Sequence, residues 1–313
     1  MDKLKKFKSS SIFLPLVALA ILVIFNIIFV PGFLDVEITQ DGRLYGRVFD
    51  ILNRSSSLII LSLGMTFVIA TAGIDISVGA VVAISGAVCC SLIGGRGDGV
   101  AEYPMIVAMI AAVAAGVICG MWNGFLVAKI KIQPMVVTLI LMVAGRGIAQ
   151  LLTEGQIITV YYAPFSYIGG NIPGNIIPSP IIIAILMIAL VVFILKKTSL
   201  GLFIQSVGIN PTASRYAGIN VALIIFLVYA FSGFCAGISG LIESSLIRAA
   251  DANNAGLNME MDAILAVALG GTLLSGGKFY IGGSIIGAIT IQTLTTTMYA
   301  MGVASESFRS EER

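Results

Sequence analysis

The chain has 313 residues, of which 58% are hydrophobic and only 11% are charged. A soluble globular chain carries roughly 25% charged residues to wet its surface. Most of this chain must therefore face something other than water, which excludes a soluble enzyme. The net charge of +2 is too small to indicate nucleic-acid binding, and the absence of histidine removes the commonest general base and metal ligand. The four cysteines lack disulfide or metal spacing, so we expect neither catalysis nor a metal or cofactor site.

Long uncharged segments follow one another along the chain. A helix needs about 20 apolar residues to cross ~30 Å of hydrocarbon, and most of these segments reach that length. The segments are residues 9–34, 55–74, 76–95, 103–128, 135–152 (which contains Arg146), 180–195, 216–242, 263–277 and 279–305. We therefore predict an all-α polytopic membrane protein of about nine transmembrane helices, forming a single transmembrane domain over residues 1–313.

Charge asymmetry predicts how these helices are oriented. The first apolar segment follows a lysine cluster and is too long for a signal peptide, so we expect an uncleaved span with a cytoplasmic N-terminus. Alternating sides from there puts every lysine in the cytoplasm, as the positive-inside rule predicts for a polytopic membrane protein. These lysines are Lys3, Lys5, Lys6, Lys8, Lys129, Lys131, Lys196, Lys197 and Lys278. The acids on the opposite side are Asp35, Glu37, Asp41, Asp50, Asp98, Glu102, Glu154, Asp251 and Glu260.

A short amphipathic segment follows the first predicted span. Within residues 43–54, Leu44, Val48, Ile51 and Leu52 recur at helical spacing, with charged residues between them. This pattern is typical of a helix that lies in the membrane interface. We predict such a helix on the outer side.

Asp75 lies in the sequence GIDISVG, residues 73–79, between two apolar segments. An acid within a membrane is costly, so its carboxylate is expected to face protein, water or a partner charge. Two interpretations stay open: a turn in which Asp75 caps the next helix, or direct contact with the transported molecule. Further along, Trp122 and Asn123 favour an interfacial anchor and a packing polar residue over a gate.

Arg146 lies in the middle of a predicted span, between two glycines. Three interpretations compete for it. It could pair with an intramembrane acid such as Asp75 or Glu243, line a polar pathway with Gln150, or extend its charge to the membrane surface as a structural residue. The ion pair is the interpretation that we favour.

The cytoplasmic segment 199–220 carries the signals of a short, deliberately capped helix. Asn210 can cap it, Pro211 suits the first helical position, and Gly218 can end it in a left-handed conformation, with two turns over residues 212–217. A two-turn helix is marginal alone. We therefore favour docking against a soluble partner over an ordinary connection between spans.

Three segments, in order along the chain, resemble one family. They are GMTFVIATAGIDISVGA (64–80), GINPTASRYAGIN (208–220) and MDAILAVALGGTLLSGG (261–277). They are similar to the membrane permease of bacterial monosaccharide ABC importers, the ribose and xylose group. Further segments resemble the galactofuranose permeases within it. These are QDGRLYGRVFDILNR (40–54), KIQPMVVTLILMVAGRGIAQLLTEGQI (131–157) and RAADANNAGL (248–257).

The resemblance implies a division of labour among subunits. Such a permease pairs with a second copy or a related permease, rests on cytoplasmic ATPase subunits and receives its sugar from a periplasmic sugar-binding protein. The chain has no GxxxxGK[ST] phosphate loop, so ATP and magnesium would be handled by the ATPase partner. The implied coupling loop is residues 199–220, with ATPase contacts through Asn210, Pro211, Ser214, Arg215 and Gly218. The candidate transport-pathway residues are Asp75, Ser77, Asn123, Arg146 and Gln150.

Rival mechanisms are a secondary sugar transporter and a channel. A secondary transporter would place acids in several spans, whereas only Asp75 and Glu243 qualify here, and a channel would need a repeated charged ring or filter sequence. Members of the resembled family have a tenth span after the position of Glu306. This chain reads SFRSEER there, so we expect residues 306–313 to be an atypical polar tail, truncated or frame-shifted.

Overall fold

The computed structural model describes residues 13–35, 37–38, 44–94 and 101–302. The described part is mostly helical, as predicted. Its α-helices are α1 (Phe13–Phe29), α2 (Arg47–Ala70), α3 (Val78–Ile93), α4 (Met105–Phe125), α5 (Pro134–Leu152), α6 (Ser166–Gly169), α7 (Ser179–Lys197), α8 (Leu200–Ile209), α9 (Pro211–Tyr216), α10 (Val221–Ile247), α11 (Met259–Leu269) and α12 (Ile281–Ala300). A π-helical turn (Leu126–Ile130) extends α4, and a 3-10 turn (Ala163–Phe165) precedes α6.

Two small antiparallel ribbons complete the described secondary structure. Strand β1 (Glu37–Ile38) pairs with β2 (Leu44–Tyr45), and β3 (Ile158–Thr159) pairs with β4 (Ala249–Ala250). The predicted polar tail, residues 306–313, lies outside the described residues. So do several charges used for the predicted orientation: Lys3, Lys5, Lys6, Lys8, Asp41 and Asp98.

Five helices are long and apolar enough to cross a membrane. They are α2, α4 with its π-helical extension, α5, α7 and α10, which have 19 to 27 residues each. Helices α1 and α3 are also apolar but have 17 and 16 residues. The polytopic membrane architecture is therefore confirmed in outline, while the number of nine spans stays a prediction.

Helix α10 lies at the centre of the bundle and packs most extensively on α4, α2 and α3. Small residues allow the α4–α10 contact. A Cβ added at Gly120 would lie 2.9 Å from the Cα of Gly233, and one at Gly116 would lie 2.9 Å from the Cα of Gly237. Lipid tails are as apolar as the surfaces of the helices, so no hydrophobic driving force brings helices together in a membrane. Helices associate there through close packing, which small residues such as these glycines allow.

The predicted interfacial helix over residues 43–54 is wrong as a separate element. Residues 47–54 form the first two turns of α2, which continues without a break to Ala70. Three serines follow Arg54, and two of them, Ser55 and Ser56, donate their hydroxyls to the carbonyl of Leu52 in the preceding turn. The serines therefore do not interrupt the helix, and its charged first turns and its apolar part form one continuous element.

The predicted span over residues 263–277 is also only half helical. Helix α11 ends at Leu269 after 11 residues, roughly 16 Å of length, and the chain continues as a coil to α12. Gly271, Gly276 and Gly277 adopt positive φ angles of 84°, 86° and 98°, which end helical hydrogen bonding there. Irregular backbone inside a membrane protein has to be covered by protein, and here it packs on the end of α2.

The two ends of the bundle differ in charge. At one end, which we name the lysine end, α2, α4 and α7 finish and α5, α10 and α12 begin. All described lysines lie there: Lys129, Lys131, Lys196, Lys197 and Lys278. The opposite end, the acidic end, carries Asp35, Asp50, Glu102, Glu154 and Asp251.

Candidate functional site

The turn between α2 and α3, residues 71–77, is built around a buried carboxylate. Asp75 is 2% exposed. Its Oδ1 accepts hydrogen bonds from the backbone nitrogen (3.1 Å) and the hydroxyl (2.6 Å) of Ser77, immediately before α3 begins. Its Oδ2 accepts a hydrogen bond from the hydroxyl of Ser232 on α10 (2.9 Å). Asp75 therefore stabilises the start of α3 and ties the turn to the central helix.

The network extends from this turn to α4 and α5. Asn123 donates from Nδ2 to the hydroxyl of Ser77 (2.9 Å). Thr138 on α5 donates to the carbonyl of Ile74 (3.3 Å). Asp75, Ser77, Asn123 and Ser232 form what we name the Asp75 cluster, which connects four helices through one turn.

Two polar atoms beside this cluster have no partner among the described residues: Oδ1 of Asn123 and the hydroxyl of Tyr229. Both side chains are fully buried, and the Tyr229 hydroxyl lies so close to Gly73 that a Cβ there would meet it at 2.6 Å. Buried polar groups normally have a protein or water partner. These two atoms therefore keep hydrogen-bonding capacity that the described residues do not use.

The pairing of Arg146 with Asp75 or Glu243, which the sequence favoured, is wrong, and the acids that attract its charge are Glu260 and Asp251. Its Nη1 donates to the backbone carbonyls of Ala252 (3.3 Å) and Ala255, in the loop between β4 and α11. Neither Asp75 nor Glu243 hydrogen-bonds to it. Arg146 lies eight residues beyond Thr138 on α5, roughly 12 Å along the helix axis. Its guanidinium therefore lies towards the acidic end of the bundle and away from the Asp75 cluster.

Gln150, one turn further, donates to Oδ1 of Asn253 in the same loop (2.7 Å). The loop is shaped by Asp251, which accepts hydrogen bonds from the backbone of Asn253 and from the backbone and side chain of Asn254. Slight burial raises the pKa of the Asp251 carboxyl, but these hydrogen bonds outweigh it and hold the pKa below its usual value. The predicted pathway residues thus separate into the Asp75 cluster and an Arg146–Gln150 pair that fastens this loop.

The predicted short cytoplasmic helix is present as α9. The side chain of Asn210 accepts a hydrogen bond from the backbone nitrogen of Ala213 (2.9 Å), and Pro211 occupies the first helical position. Gly218 follows with a φ of +86°, as expected of a helix stop. Tyr216 is 90% exposed and Arg215 is also exposed, whereas Ser214 is buried. Nearly all of α9 is therefore available for contact with another molecule.

Helix α8 connects α9 to the turn that carries Asp75. Gly208, next to the end of α8, packs so closely on the end of α2 that a Cβ there would overlap the carbonyl oxygen of Ala70. The same carbonyl accepts a hydrogen bond from the backbone nitrogen of Gly277 (2.8 Å). A displacement of α9 would consequently act on Ala70, one residue before the turn begins.

Sequence reasoning missed three participants. Ser232 and Tyr229 belong to a run on α10 that reads as packing residues, and only the fold brings them to Asp75. Ser57 on α2 donates to Glu243 on α10, a contact that joins positions 186 residues apart. The signal available in the sequence was a hydroxyl-rich stretch, Ser55 to Ser57, inside an otherwise apolar span.

Among the described residues, no group of three or more Asp, Glu, Cys or His side chains is placed to hold a metal ion.

Comparison with known proteins agrees with this architecture. A family model described as the permease component of the branched-chain amino acid transport system matches residues 47–310. The chain is 47% identical to the galactofuranose transporter permease of Escherichia coli K12 over 293 residues, 93% of this chain and 83% of that protein. It is 39% identical to a fructose import permease of Bifidobacterium longum, covering 97% of this chain and 85% of that protein.

A ribose import permease of Haemophilus influenzae is 36% identical, with 92% of this chain and 85% of that protein covered. No solved structure matches the chain. The matched model spans most of the chain, including the Asp75 cluster, α8 and α9. The chain therefore belongs to this family of permease components of transport systems.

Proposed function

We propose that this chain is the membrane-spanning subunit of an ATP-binding cassette importer that moves a monosaccharide across the bacterial inner membrane. The observation that carries the proposal is the 47% identity to a galactofuranose permease over 93% of the chain. Further relatives are permeases for fructose, ribose and allose. All of these names denote sugars, so the substrate class is a monosaccharide, and galactofuranose or a related pentose or hexose is the first candidate.

The geometry of α9 supports an external ATPase. A six-residue helix with one buried residue cannot be stable through its own packing, so the exposed faces of α9 gain from a docked subunit. That subunit binds and hydrolyses ATP with its magnesium ion, and contacts this chain through Asn210, Pro211, Arg215 and Gly218. Ser214, which the sequence also suggests as a contact, is buried and donates its hydroxyl to the Asn210 carbonyl (2.9 Å), so it holds α9 in shape instead. A periplasmic sugar-binding protein would deliver the substrate, and a second permease copy or a related permease would complete the pathway.

In this mechanism, ATP-driven closure of the ATPase subunits moves α9 and, through α8, the end of α2. The turn of residues 71–77 then carries the movement to α10, because the hydrogen bond from Ser232 to Asp75 links the two. The transport pathway passes near Asp75, Ser77 and Asn123, where two buried polar atoms lack partners among the described residues. Arg146 and Gln150 contribute by holding the loop at the acidic end of the bundle.

Co-purification tests the proposal. A tagged chain expressed with its neighbouring genes should retain an ATPase subunit through mild detergent and size-exclusion chromatography. A chain that purifies without any ATPase, yet still transports sugar in vesicles driven by a sodium or proton gradient, would be a secondary transporter instead. Gradient-independent, ATP-independent flux would indicate a channel.

The orientation is part of the proposal, with the N-terminus and the lysine end in the cytoplasm. In a version lacking native cysteines, we expect Asp251→Cys to react with a membrane-impermeant maleimide in intact cells. Lys197→Cys should react only after the cells are permeabilised. The reverse labelling pattern would invert the assigned topology.

A further inference from the structure

A polar cavity lies between α2, α10, α11 and α12, apart from the Asp75 cluster. Its volume is about 180 Å³, and apolar side chains close one wall. The polar side chains that line it are Arg54, Ser57, Glu243, Asp262 and Gln292. None of these residues belongs to the pathway set predicted from the sequence.

The cavity lies in the half of the bundle nearer the acidic end. Glu243 is four residues from the end of α10, and Asp262 lies in the first turn of α11. Arg54 and Ser57 are one turn apart near the start of α2, on the same face. The cavity therefore lies towards the side that we propose faces the periplasm, where a delivered sugar would enter.

The lining leaves hydrogen-bonding capacity unused. Ser57 donates to Oε1 of Glu243, and Arg54 holds Asp50 through its Nε alone (3.1 Å to each oxygen). Within the described part of the chain, the side-chain amide of Gln292 has no hydrogen-bond partner. Ser57 is buried, whereas Glu243 and Gln292 are partly exposed and Arg54 is exposed. The unused donors and acceptors of these groups are therefore open to a polar molecule that enters the cavity.

The mixture of groups selects a class of ligand. Carboxylates accept hydrogen bonds, guanidinium donates them, and an amide does both. A bare cation is disfavoured because the guanidinium of Arg54 lines the same cavity, and an anion is disfavoured by the carboxylates of Glu243 and Asp262. A neutral molecule with several hydroxyl groups satisfies both kinds of partner.

We infer that this cavity binds one monosaccharide on the periplasmic side of the transport pathway. Glu243 and Asp262 accept hydrogen bonds from sugar hydroxyls, and Gln292 and Arg54 donate to sugar oxygens. The inference rests on the proposed function, because it assigns a binding site for the sugar that the importer carries.

The first test asks whether the cavity is open to water. In a version lacking native cysteines, Gln292→Cys should react with a charged, membrane-impermeant methanethiosulfonate applied from outside. Leu294→Cys is the matched control, since this residue is two positions along the same helix and 44% exposed on the apolar outer surface. It should not react. Delivery of sugar by the binding protein should slow the reaction at position 292 only.

The second test measures uptake of radiolabelled galactose, fructose and ribose by the intact importer in proteoliposomes. Glu243→Gln keeps an acceptor for Ser57, so the tie between α2 and α10 survives while the charge is lost. We expect this variant and Gln292→Leu each to lower uptake roughly tenfold, the effect of one lost hydrogen bond to a charged or buried partner. Thr296→Val, one turn further along α12, should transport normally, because the Thr296 hydroxyl bonds only the carbonyl of Gln292 in its own helix.

A purely structural role is excluded by two readouts. If the replaced side chain contacts a sugar hydroxyl, the variant loses preference for the sugar over its deoxy analogue. A loss of packing instead lowers both rates equally and also reduces the amount of ATPase that co-purifies. An unreactive Gln292→Cys, wild-type uptake in both variants, or an unchanged preference would overturn the inference. A wild-type importer that moves none of the three sugars would instead refute the proposed function.

Discussion

The Asp75 cluster and α9 are joined through α8, yet they differ in how far contacts within this chain satisfy their hydrogen-bonding groups and cover their side chains. Asp75 accepts three hydrogen bonds and is 2% exposed. Helix α9 has six residues, and its Tyr216 is 90% exposed. The carboxylate of Asp75 is thus satisfied by this chain alone, whereas most of α9 is left exposed, as expected of the docking helix that we propose.

The largest effect is expected from removing the carboxylate of Asp75. Asp75→Ala should cost about 4 kcal/mol of stability, because the Ser77 and Ser232 hydroxyls and one backbone nitrogen lose their acceptor inside the protein. We expect a much lower melting temperature in detergent and a low yield of folded permease. Asp75→Asn is the control, since it keeps one acceptor oxygen and should lose less.

A melting temperature that is unchanged in Asp75→Ala would contradict the structural role of the cluster. If the variant folds normally but no longer transports, Asp75 contacts the transported molecule rather than holding the turn. The measurement thus separates the two interpretations that the sequence leaves open.

The opposite behaviour is expected in α9. Ser214→Pro removes the hydrogen bond from the Ser214 nitrogen to the Asn210 carbonyl (3.0 Å), and a proline within a helix costs ~3 kcal/mol. Uptake should be abolished and ATPase binding weakened. The melting temperature of the isolated permease should change little, because α9 contributes little to its packing.

Ser214→Ala is the matched control for the side chain, and it should retain most of the uptake because the backbone hydrogen bond survives. If Ser214→Pro unfolded the isolated permease, α9 would be part of its core. If the variant transported sugar at the wild-type rate, the docking role of α9 would be wrong.

A smaller effect is expected from removing the cap of α9. Asn210→Ala removes the cap on the Ala213 nitrogen, and losing such a cap costs about 1 kcal/mol. We expect ATP-driven uptake to fall several-fold without any change in the melting temperature. Asn210→Asp, which still offers an oxygen to Ala213, should restore most of the rate. Equal rates for the alanine and aspartate variants would show that the cap does not matter for coupling.

Much of this fold could be predicted because membrane helices depend on local composition. The charge-free segments located the long apolar helices, and Asn210, Pro211 and Gly218 correctly defined the short helix between two of them. The lysines, restricted to one end of the described bundle, agree with the same reasoning. Local sequence signals were sufficient for elements that depend on neighbouring residues, such as apolar helices and helix caps.

Contacts between distant segments could not be predicted. Arg146 donates to backbone carbonyls of a loop more than 100 residues away, and carbonyls have no side-chain signature. Ser232 was hidden in an apolar helix until the fold brought it to Asp75. The length of α11 also escaped prediction, because its end depends on glycine conformations and close packing rather than on hydropathy.

The central proposal is that an ATPase acts on α9 and, through α8, on the turn that carries Asp75. The ATP dependence of sugar uptake is its most direct test. Proteoliposomes containing the permease, its ATPase and the binding protein should accumulate radiolabelled sugar only with ATP. Vanadate should abolish uptake, and ionophores that collapse sodium and proton gradients should leave it unchanged. Uptake that persists without ATP and vanishes when those gradients are collapsed would contradict the account.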